Sequence, residues 1–74
     1  MTVLTKQGAL KRVSDIRALA ASIRDGADRS AAAAEQSDDD LMKQFLLTNA
    51  ENGRLAADAF EKDAGDLEKL ILKE

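Results

Sequence analysis

The chain has 74 residues, with 11 basic and 14 acidic side chains for a formal net charge of −3. It contains no cysteine, histidine, proline, tryptophan or tyrosine. That composition excludes a disulfide scaffold, the Cys/His zinc sites and every triad built on histidine or a cysteine nucleophile.

Alanine (14) and leucine (10) supply most of the apolar residues, and Phe45 and Phe60 are the only aromatics. Alanine and leucine lose little side-chain entropy in a helix, whereas strands favour β-branched and aromatic residues. The fold expected is all-α: one helical domain over residues 1–74, folded as an antiparallel, coiled-coil-like two-helix hairpin. Helix 1 is expected over about 4–35, a turn over about 36–38 and helix 2 over about 38–73. The start, Met1-Thr-Val-Leu-Thr-Lys, has no apolar run of the secretory type, and a cytoplasmic location is the corresponding expectation.

In the first helix, apolar or small residues recur at Ala9, Val13, Ile16, Ala20, Ile23, Ala27, Ser30 and Ala34. The alternating steps of four and three form the seam of a helix packed along its whole length. Gly26 lies inside this run, so a break at Asp25-Gly26, giving a three-helix bundle, is the alternative architecture.

Next comes Glu35-Gln-Ser-Asp-Asp-Asp40. Ser37 followed by Asp40 reads as a capping box, and the aspartates complement the positive end of a helix dipole. Asp38, Asp39 and Asp40 also form the one acidic contact surface the sequence suggests.

The second pattern runs Leu41, Phe45, Thr48, Asn52, Leu55, Ala59 and then slips to Ala64 (or Asp63), Leu67 and Ile71. Taken as the facing seam, it gives an antiparallel register in which Arg24 meets Glu51, Arg17 meets Asp58 and Arg12 meets Asp63. Asn52, polar and mid-pattern, either sets register or reaches solvent.

A two-helix hairpin buries one stripe per helix, and Leu10, Leu19, Leu46 and Leu47 remain beside the two stripes. We expect these four to form an interface, with a second copy or with a foreign protein. A homodimer closing into a four-helix bundle is the simplest arrangement.

No phosphate-binding glycine loop, zinc motif or calcium loop is present, and no cofactor or metal is expected. A hairpin offers no sheltered pocket to shift a pKa, so the chain is not expected to be an enzyme. The function expected is a small protein-binding module, such as a regulator, inhibitor or chaperone, acting through a helical apolar face. One alternative is a helical regulator that binds RNA or DNA. In architecture the chain resembles the plasmid copy-number regulators, whose hairpins dimerise and bind RNA stem-loops. That likeness is one of shape and transfers no residue. A structural part of a secretion apparatus or virus particle is the other alternative. No membrane span is expected, because the apolar runs are far shorter than the roughly 20 residues a crossing requires.

Overall fold

Thr5 opens the first helix: its Oγ1 accepts the backbone N–H of Gly8 at 3.0 Å, which satisfies one of the free amides of the first turn. The computed structural model describes residues 5–73. The expected helix start at residue 4 lies outside the described residues.

Helix α1 spans Lys6–Glu35 and helix α2 spans Asp40–Lys73. No strand occurs among the described residues. The two helices lie antiparallel as a hairpin measuring 53 × 18 × 18 Å. α1 runs through Gly26 without interruption, so the three-helix alternative is not what forms.

The reversal differs from the expected capping box. α1 closes with the N–H groups of Gln36 and Ser37 donating to the carbonyls of Ala33 and Ala34. Asp39, not Ser37, then caps α2: its Oδ1 accepts from the N–H of Leu41 at 2.9 Å and of Met42 at 3.2 Å. A carboxylate at this place satisfies two amides and adds charge at the positive end of the dipole. Ser37 instead accepts the N–H of Asp39 at 3.3 Å, bracing the turn.

The α1 seam lies where its periodicity placed it. Val13, Ala20, Ala27 and Ala34 are buried, and Ile16, Ile23 and Ser30 are half-buried between them. The α2 seam is a correction. Its buried residues are Ala50, Ala57 and Ala64, with Leu46, Gly53, Leu67 and Ile71 half-buried in the same four-three rhythm. Leu41, Phe45, Thr48, Asn52, Leu55 and Ala59 are all exposed.

Small residues explain the choice. A methyl group built on Gly53 would lie 3.1 Å from Cβ of Ala27, so the backbones approach too closely for leucine or phenylalanine to stand between them. Alanine every seventh residue on both helices permits that approach.

The register is also corrected. With Gly53 opposite Ala27, the numbers of opposed residues add to about 80 rather than 75. Arg24 pairs with Asp58 and Glu61 instead of Glu51. Arg17 pairs with Glu68 at 3.0 Å instead of Asp58. Arg54 meets Asp28 at 3.2 Å, and the expected Arg12–Asp63 pair does not form. In this register residue 45 is level with residue 35, so the first turns of α2 run past the end of α1.

Candidate interaction surface

The apolar stripe Leu41–Phe45–Thr48–Asn52–Leu55–Ala59 has the periodicity of a packed helix face, yet it points away from α1. The side-chain period of a helix places it nearly opposite the Ala50–Gly53–Ala57 seam. Its large members are well exposed: Leu41 at 78%, Phe45 at 64% and Leu55 at 62%. Thr48 and Asn52 occupy its middle.

At the turn, where α2 overhangs α1, Asp39, Leu41, Met42 and Phe45 line an open concavity of about 340 Å³. Leu41 and Phe45 belong to the outward stripe, so α1 leaves this concavity open. A second concavity of about 440 Å³, on α1 toward the opposite end, is lined by Gly8, Lys11, Arg12, Asp15 and Ile16. Its lining is mainly charged.

The two long flanks of the hairpin differ. One carries the ion pairs of Arg17, Arg24 and Arg54 with Glu68, Asp58, Glu61 and Asp28. The hydrogen bond that Arg17 donates to Glu68, reinforced by the carboxylate's charge, holds the guanidinium above its ordinary pKa, and Arg17 in turn holds Glu68 below the usual carboxylate range. The bidentate geometry, with Arg17 Nη1 and Nη2 donating to the two carboxylate oxygens, is the stronger form of such a pair. Arg24 is likewise held charged, first through its hydrogen bond to Glu61.

The other flank carries Leu19 of α1 and Met42, Ala56 and Leu70 of α2, and adjoins the outward stripe. Its polar link is Asn49 Nδ2 donating to Ser30 Oγ at 3.0 Å.

The residues expected to form one interface are placed apart. Leu46 is half-buried in the seam, while Leu10 and Leu47 lie on the ion-paired flank and Leu19 on the opposite one. By the register, Leu10 and Leu47 are about 35 Å apart along the rod. Of the three aspartates, Asp39 is engaged in capping, and Asp38 and Asp40 are exposed. Among the described residues no group of three or more acidic side chains is placed to hold a metal ion. No helix among them is long and apolar enough to cross a membrane.

The residues that sequence reasoning assigned to the seam, Leu41, Phe45 and Leu55, are thus the principal members of the exposed face. The signal that identifies the true seam is the sevenfold spacing of Ala50, Ala57 and Ala64, which mirrors Val13, Ala20, Ala27 and Ala34.

Fold and surface together define a helical hairpin with an unpartnered apolar face on one helix. No family model matches the chain, and no curated protein or solved structure is significantly similar to it.

Proposed function

We propose that the protein is a non-enzymatic binding module that docks an α-helix of another protein on the outward face of α2. The observation that carries this reading is the exposed stripe from Leu41 to Ala59, which repeats at helical spacing for about 28 Å along a rigid helix. Fully burying a leucine or phenylalanine side chain contributes about 1.5–3 kcal/mol, so Leu41, Phe45 and Leu55 supply anchors of the helix-in-groove type. A regulator, inhibitor or chaperone acts through such a surface.

A nucleic-acid regulator draws less support. The net charge is −3, and Arg17, Arg24, Arg29 and Arg54 are each held by a carboxylate, which leaves fewer cations for phosphates.

A photo-crosslinking residue at Leu55, compared in cells with one at Ser22 on the outer side of α1, tests the reading. Adducts with another protein are expected from position 55 and not from position 22. Nucleic-acid adducts, or no adduct with a different protein from position 55, would overturn it.

A further inference from the structure

The outward stripe of α2 matches itself when reversed. We infer that in the absence of a foreign helix it is closed by a second copy of this chain, with the two α2 helices antiparallel about a two-fold axis. The inference rests on the reading of this face as a helix-docking surface and names one occupant for it.

Laid antiparallel and centred midway between Thr48 and Asn52, the stripe pairs Leu41 with Ala59 of the second copy and Phe45 with Leu55 of the second copy. Thr48 falls opposite Asn52 of the second copy. Every layer is chemically matched. The longest side chains meet smaller ones, and the two polar residues that interrupt the stripe meet each other, hydroxyl against amide. A polar pair at one level of an otherwise apolar seam fixes register, because a slip of one heptad in either direction sets Asn52 against a leucine, Leu55 or Leu41, of the second copy.

The charges beyond the stripe agree with the same alignment. Lys62 continues the stripe past Ala59 and falls level with Asp38 of the second copy, beside its exposed Asp40. Each end of the pairing therefore sets a lysine against the acidic turn. One term opposes it: Glu51 flanks the stripe beside the axis and lies close to Glu51 of the second copy.

The resulting order is α1, α2, α2, α1 in a row, with the outer side of α1, where Ser22 is exposed, outermost and the ion-paired flank at the side. This differs from a four-helix bundle closed through Leu10, Leu19, Leu46 and Leu47. It also makes dimer and foreign complex mutually exclusive, so a partner helix must displace the second copy. A contact about 28 Å long on one helix is small for a stable dimer, which places the association in the micromolar range.

Sedimentation equilibrium from about 10 to 500 µM, a range set by that affinity class, should give a mass rising to twice the 8.0 kDa of the chain. Phe45→Glu should remain a helical monomer throughout, since it alters only an exposed position. Lys62→Glu should weaken association several-fold, and Glu51→Gln should tighten it about twofold by relieving like charge.

Spin labels at Lys69→Cys should lie about 57 Å apart along the rod in the antiparallel pair, against about 10 Å for a parallel one. A monomer at every concentration overturns the inference. So does a dimer indifferent to Phe45→Glu, or a short label distance. A strict monomer that still forms adducts with another protein from position 55 retains the proposed function and removes only the self-pairing. A dimer whose position 55 reaches only its own copy does the reverse.

Discussion

At the scale of single residues, Gly26 and Gly53, each inside a helix, have opposite settings. A methyl built on Gly26 meets nothing within 4 Å, whereas one on Gly53 would lie 3.1 Å from Ala27 Cβ. Glycine costs roughly 1 kcal/mol against alanine inside a helix. Gly26→Ala should therefore raise stability by up to about 1 kcal/mol, because the backbone gain is uncompensated. Gly53→Ala should gain clearly less, or lose stability, because the seam must open to admit the methyl. Urea denaturation of the two variants side by side checks this. An equal gain at both positions would mean that the helices do not approach closely at Gly53. Restoring space with Ala27→Gly on the Gly53→Ala background should recover part of the difference.

At the scale of the elements, Asp39 decides where α2 begins. Asp39→Ala leaves the N–H groups of Leu41 and Met42 without their side-chain acceptor and should cost about 1 kcal/mol in thermal or urea unfolding. Asp39→Ser should retain most of that, and Ser37→Ala should cost less, since Ser37 only braces the turn. If Ser37→Ala proves the more harmful, the cap has been placed two residues too late.

The same turn marks the limit of what the sequence disclosed about the elements. The α1 seam could be read to the residue, because α1 has one dominant stripe and its small members alternate with Ile16 and Ile23. α2 carries two stripes. Hydrophobicity favours the one with leucine and phenylalanine, but the close approach of the backbones selects the one with alanine and glycine. Choosing the larger side chains turned α2 inside out over residues 41–59 and moved the register, and the expected arginine partners moved with it. Past Ala59 the expected pattern and the seam coincide at Leu67 and Ile71, and of the alternatives Ala64 and Asp63 it is Ala64 that is buried, because no rival stripe of large residues exists there. The exposed face was therefore visible in the sequence as a pattern, while its direction depended on how near two backbones can come.

At the scale of the whole molecule, the core is thin. Among the described residues the buried apolar ones are Val13 and six alanines, and Val13 is the one large side chain under 2% exposed. A buried methylene-sized group contributes about 0.8 kcal/mol, so alanines do little to offset the ordering entropy of a 74-residue chain. Chains of this size commonly need an added staple, and this one has neither a disulfide nor, among its described residues, a metal cluster. The outward stripe holds exposed apolar area that remains to be covered. If a second copy covers it, folding and association are linked, and stability must rise with protein concentration. Each tenfold increase adds about 0.7 kcal/mol per chain, which for a domain of this length moves the midpoint up by about 3–5 °C. Phe45→Glu should abolish that dependence and leave the midpoint at the value the wild type approaches on dilution, because the substitution leaves the Ala50–Ala57–Ala64 seam intact. Thermal melts by circular dichroism over two decades of concentration measure both effects. A wild-type midpoint that stays constant across that range would show that the hairpin supports itself on its alanine seam alone.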